Sequence, residues 1–281
     1  MQITIGTVSA EARPCASPPA RPGIAAVPGS SVRDAGNGEI DMDAGRIEAV
    51  VAECERQVAA GGSVDLRGTG FWKAVSGVKR DPAMVERFAD RMAAIDRAAF
   101  ERWARWKLPL GAGMWLMALL AAASLAAIAI GYYLSEPWNG LFLLGGAVAL
   151  ETAVHTPAHW LVGRGAGIAF THWYVASVTR PQPGVKIDYA SYLRAPARGR
   201  ARMHAAGAVA TKVVPFLLLG AAWGMGAPAW AWVALVVLGL AQILTDVLWS
   251  VKKSDWKRYR REMRIAVAPD RGSAGGTPTN V

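Results

Sequence analysis

The sequence predicts an all-α integral membrane protein with four transmembrane helices, a short cytoplasmic β-hairpin and a helical N-terminal region. Three observations carry that expectation. Of the 281 residues, 53% are hydrophobic, and the mean hydropathy is positive at +0.22, too apolar for an ordinary soluble chain. Four apolar runs approach the roughly 20 residues a helix needs to cross about 30 Å of hydrocarbon. Lys and Arg, finally, gather in some of the segments between those runs and avoid the others.

Residues 1–39 are rich in Pro, Ala, Gly and Ser, lack the long apolar core of a secretory signal, and read as a disordered tail. Residues 40–106 read as a cytoplasmic helical region. "DAGRIEAVVAECERQVAA" (43–60) carries Ile47, Val50, Val51 and Val58 at helical spacing, and the turn-rich "GGSVDLRGTG" stops it. Asp81 and Pro82 then make a helix start, with an N-cap followed by Pro at the first helical position. Met84, Phe88, Met92, Ile95, Ala99, Trp103 and Trp106 recur at three and four on one face, with charged residues on the other. Such a stripe packs on a neighbouring helix or lies along a membrane surface, with partner binding as the alternative.

The membrane domain covers 107–250, with spans expected at 108–134, 141–162, 205–226 and 227–250. Its loop, 164–204, is not compositionally disordered. "IAFTHWYVASV" (168–178) is β-branched and aromatic, "PQPG" (181–184) is a turn signal and "VKIDYASYL" (185–193) roughly alternates, which predicts the hairpin. Residues 251–281 read as a basic cytoplasmic tail, flexible from 267 onward.

The net charge of +10 raises the question of nucleic acid, and the position of the charge answers it. Basic residues crowd before the first span, between the second and third, and after the fourth in "VKKSDWKRYRREMR"; the connections "SEPWNG" and "MGAPAW" carry none. This positive-inside asymmetry places both termini and the middle loop in the cytoplasm, with the protein in a cytoplasmic or plasma membrane. Anionic lipid of the bilayer suits the basic flanks, so no nucleic acid is needed to explain them. Cys15 and Cys54 form no disulfide or metal spacing pattern.

One stretch stands out: "ALETAVHTPAHWLVGR" (149–164) places Glu151, His155 and His159 at steps of four inside a span. An ionisable group near the bilayer centre costs at least about 2.5–3.5 kcal/mol on insertion scales, so such groups face a protein interior and work there. At about 1.5 Å per residue, His159 lies about 7 Å from Arg164 and Asp246 about 9 Å from Lys252, so His155, His159 and Asp246 are expected at similar depth, with Glu151 about 6 Å deeper. Two His and one carboxylate leave a fourth tetrahedral position for water, the pattern of a catalytic zinc site. The alternative is that each His bonds a neighbouring helix. His172 and His204 are further candidates from the loop, and Lys212 is free to pair with Glu151 or with Asp246; the latter pairing would remove the third ligand. Glu151 is open to several roles: base through a second water, extra ligand, partner fixing an imidazole tautomer, or a protonated group bonded to another helix.

The order of "HTPAHWLVGRGAGIAF", the hairpin segment, "RARMHAAGAVATKVVPF" with Ala206 and Gly207, and "LTDV" with Asp246 resembles the site-2 protease family of intramembrane zinc metalloproteases. The resemblance covers roughly 141–250. It implies zinc held by His155, His159 and Asp246 within a membrane-embedded helical core. The family carries H-E-x-x-H, its Glu being the general base, and this chain has Thr156 there. A Thr hydroxyl orients a water but does not take its proton near neutral pH. Pro157 adds an expected kink between the two His. Two functions are expected from these features. One is a divergent zinc metallopeptidase or other hydrolase using Glu151 and Thr156 at the site. The other is a non-catalytic scaffold or pseudoprotease that binds membrane-protein segments or lipid. Oligomeric state is not legible.

Overall fold

The computed structural model describes residues 42–61, 64–104, 106–177, 180–248 and 254–268. The expected N-terminal tail with Cys15, and residues 251–253 and 269–281 of the expected C-terminal tail, lie outside them.

The chain opens with three helices: α1 (Ala44–Ala59), α2 (Phe71–Val78) and α3 (Pro82–Trp103). Each start has a local cause. The Asp43 carboxylate accepts from the Arg46 amide, and the Asp81 carboxylate from those of Ala83 and Met84, which satisfies amides that a helix leaves open. The α2 N-cap is Gly70 at φ 80°, in the left-handed region that favours glycine. Ile47, Val51, Phe71, Val75, Val78, Phe88, Met92 and Ile95 make the shared core. The stripe predicted for α3 is therefore mostly internal, although Trp106, past the helix end, is exposed. Arg91 ties α3 to α1 through Glu48 and Glu55, at 2.6 and 2.8 Å.

Four helices are long and apolar enough to cross a membrane: α4 (Leu110–Gly131), α5 (Trp138–Gly165), α7 (Ala197–Gly224) and α8 (Ala229–Leu248). Trp115, Leu119, Leu217, Trp223, Val233 and Val237 are exposed on them, an apolar outer surface of the kind a bilayer covers. Inside, small residues bring the backbones together. A Cβ on Gly146 of α5 would sit 2.6 Å from Ile128 Cγ1 and 3.0 Å from the Ser124 carbonyl of α4. The predicted third span begins at 205, but α7 starts eight residues earlier, so its first two turns belong to the charged end of the molecule. α5 continues as one helix through Pro157.

A three-stranded antiparallel sheet of order β1-β2-β3 sits at that charged end: β1 (Trp106–Pro109), β2 (Phe170–Ser177) and β3 (Arg180–Ile187). The predicted hairpin is present, with two differences. "PQPG" lies inside β3, which is an edge strand, the place in a sheet where proline is tolerated. The segment after it is helix α6 (Tyr189–Arg194), started by the Asp188 carboxylate accepting from the Ser191 amide. β1, unpredicted, pairs Trp106 with Val175 and Pro109 with His172. The sheet closes over α3, with Phe100 against Tyr174 edge to face at 5.3 Å. Between them the Lys186 ammonium pairs with the Asp96 carboxylate, both almost fully buried.

The last described element is α9 (Asp255–Val267), in the stretch expected to be a basic tail. Ser254 caps it by accepting from the Lys257 amide, and it packs on α7.

Candidate metal centre

α5 supplies both histidines. Spacing of four puts His155 and His159 on one face, and their Nε2 atoms lie 2.9 Å apart, both rings buried. α7 sets the second ring. His159 Nδ1 lies 2.6 Å from the Met203 carbonyl, which can only accept; Nδ1 therefore carries the proton and Nε2 of the neutral ring keeps its lone pair. Gly207, one turn further along α7, leaves the room. A Cβ there would stand 2.1 Å from His159 Nε2 and 2.5 Å from Cδ2, so any larger residue would displace the ring.

The third group comes from α9. Asp255 Oδ2 lies 3.5 Å from His155 Nε2 and 3.4 Å from His159 Nε2. Burial alone would raise the Asp255 pKa, but the positive charge of the facing imidazoles in their protonated form, His159 foremost, holds the carboxyl well below the usual range; a metal ion between neutral rings would act in the same sense. Its other oxygen, Oδ1, is buried with no hydrogen-bond partner among the described residues. A buried carboxylate with one bare oxygen calls for a cation.

The three residues could hold a metal ion. A point equidistant from the two nitrogens and Oδ2 lies about 1.9 Å from each, close to the roughly 2.0–2.2 Å of zinc bonds to His and carboxylate. The separations of 2.9–3.5 Å also bracket the edge of a tetrahedron of that size, which leaves one corner open.

Asp246, expected as the third ligand, is not in this group. Its carboxylate pairs with the Lys212 ammonium of α7, which also donates to the Ala208 carbonyl at 3.1 Å. Lys212 takes Asp246, and Asp255 reaches the two histidines from beyond the span. Glu151 accepts from Gln242 Nε2 of α8 at 2.8 Å and keeps Oε1 buried and unpartnered among the described residues. Thr156 is fully buried and donates to the Pro183 carbonyl of β3 at 3.3 Å. His172 lines a separate cavity of about 320 Å³ between α3 and the sheet. His204 faces the Tyr192 hydroxyl at 2.8 Å. Asp255 had a signal in the sequence: Ser254-Asp255 opens a helix in which two acidic residues, Asp255 and Glu262, stand seven apart in a basic run.

No family model, no curated protein and no solved structure matches the chain.

Proposed function

We propose that the protein is a zinc-binding intramembrane hydrolase of the site-2 protease kind, with His155, His159 and Asp255 as ligands. The observation that supports it is a buried set of three ligand atoms, from His155, His159 and Asp255, among the described residues, where structural zinc sites use four from protein. Zinc held by these residues would supply Lewis acidity for activating a water near neutral pH. The chain's own residues do the rest. His159 is held in the correct tautomer by Met203, and Asp255 offsets the metal's charge where water is scarce. Glu151, on the same face of α5 as His155, offers its unpartnered oxygen as the base that Thr156 is not. With the four apolar helices in a bilayer and both termini in the cytoplasm, the site lies towards the cytoplasmic side, and its substrate is a membrane-protein segment.

One observation favours a second reading, a pseudoprotease that binds such segments or lipid without cutting them. The Thr156 hydroxyl is engaged by the Pro183 carbonyl and is not turned to the site. Metal analysis of the purified protein tests the shared premise: one zinc per chain, lost in His159→Ala and Asp255→Asn. Absence of stoichiometric zinc in the parent, or zinc unchanged in Asp255→Asn, overturns it. Cleavage of a membrane-segment reporter separates the two readings. Activity abolished by Glu151→Gln supports the hydrolase, whereas activity that appears only in Thr156→Glu makes the parent a scaffold.

A further inference from the structure

The third ligand candidate stands on an element of unusual character. α9 buries Asp255, Arg258 and Glu262, and none of its apolar side chains is buried. Its most deeply buried contacts are thus polar and directional, whereas Trp256, Tyr259, Met263 and Ile265 are only half-buried. Glu262 makes three such contacts, to three different segments. One carboxylate oxygen accepts from Lys79 Nζ at 2.5 Å and from the Tyr192 hydroxyl at 3.0 Å; the other accepts from Arg200 Nε at 2.6 Å. Arg200 also donates to the Leu193 and Ala195 carbonyls, at 3.1 and 2.6 Å, so its guanidinium cannot swing away freely. The side chains of Lys79, Arg200 and Glu262 are all more than nine-tenths buried.

Asp255 and Glu262 are seven residues apart, two turns along the same face and about 10 Å in rise. Any rotation or lift of α9 that releases one carboxylate withdraws the other. Lys79, moreover, follows α2, so the N-terminal helices hold one of the three grips on the residue that orients the site.

We propose that α9 is a latch: Glu262 is the positioning residue that brings Asp255 to His155 and His159, and the N-terminal helices set the latch through Lys79. The consequence for metal rests on the reading of the site given above; the latching itself does not. A site so built is completed when the N-terminal helices are docked and left as a bare histidine pair when they are withdrawn.

The test uses the full chain in lipid nanodiscs and two readouts. Hydrogen exchange of the α9 amides, measured with chelator present, reports the latch without metal; the visible absorption of added Co²⁺ reports the site. Glu262→Gln is expected to speed α9 exchange at least tenfold, with the α7 core unchanged, and to raise the Co²⁺ Kd at least tenfold. Glu262→Asp restores part of both, and Lys79→Met, which leaves the Arg200 grip, falls between. Asp255→Asn abolishes the Co²⁺ spectrum and leaves α9 protected within about threefold. Unchanged α9 exchange in Glu262→Gln overturns the latch, and if that variant does not fold, the same result in Lys79→Met overturns it. Faster α9 exchange with unaltered Co²⁺ affinity overturns the positioning role. Should the parent bind no Co²⁺ while Glu262→Gln still frees α9, the metal reading falls and the latch stands.

Discussion

Gly207→Ala is the smallest change that should disable the site. The added Cβ would stand 2.1 Å from His159 Nε2, 2.5 Å from Cδ2 and 2.8 Å from Cε1, where ordinary contact begins at 3.4 Å. The ring would have to retreat by more than 1 Å, whereas a metal site tolerates ligand displacements of about 0.2 Å. The hydrogen bond of Nδ1 to Met203 resists that retreat, because carbonyl and methyl arrive on the same helix. Overpacking of this kind costs about 1–3 kcal/mol of stability, and loss of ligand geometry should weaken metal binding by at least about 100-fold, or about 2.7 kcal/mol. Competition with a chromogenic chelator measures the second quantity and thermal unfolding the first. Gly220→Ala on the same helix is the control, since nothing lies within 4 Å of its Cβ, and it should leave both unchanged. A Gly207→Ala protein that holds zinc as tightly as the parent would refute the packing of His159 against α7 and the site built on it.

Three other outcomes are expected. Asp246→Asn should leave metal content intact while lowering thermal stability by about 1–3 kcal/mol, since it strands a partly buried Lys212; loss of zinc there would return Asp246 to the ligand set. Asp96→Asn, which leaves Lys186 charged and buried under the sheet, should cost about 3–5 kcal/mol, read by limited proteolysis of the N-terminal helices and by unfolding. Burial would raise the Glu262 carboxyl, but Lys79 and Arg200 more than offset it and hold it down at about 2, below its ordinary 4.5. A depressed carboxyl stabilises the fold above its unfolded value, so this contribution should be complete at neutral pH and decline as pH falls from 4.5 towards 2. Glu262→Gln should flatten that part of the stability profile, and an unchanged slope would count against the buried triad.

The spans were legible because hydrocarbon demands long apolar helices and the sequence contains four. His155 and His159 were legible for the opposite reason, as polarity in a place where polarity is costly. What escaped notice followed from physics that local pattern does not carry. Pro181 and Pro183 signal a turn by their fixed φ, and only the pairing order reveals an edge strand that tolerates them. Asp246 has the correct depth, but depth is one coordinate, and the Lys212 ammonium on the facing helix decides the matter. The most deeply buried side chains of α9 are charged, Asp255, Arg258 and Glu262, so a run of this composition looks like a solvated tail. Its capping serine and the seven-residue spacing of its two acids were the available clues.

That the third partner lies beyond the last apolar helix also orders events at the ribosome. Asp255 is encoded roughly a hundred residues after His159, and at roughly 5–20 residues per second the pair waits roughly 5–20 s for it. Throughout that interval the nascent chain threads its remaining helices with an open, incomplete centre. A message cut short anywhere before codon 255 yields the two histidines without the carboxylate that faces them.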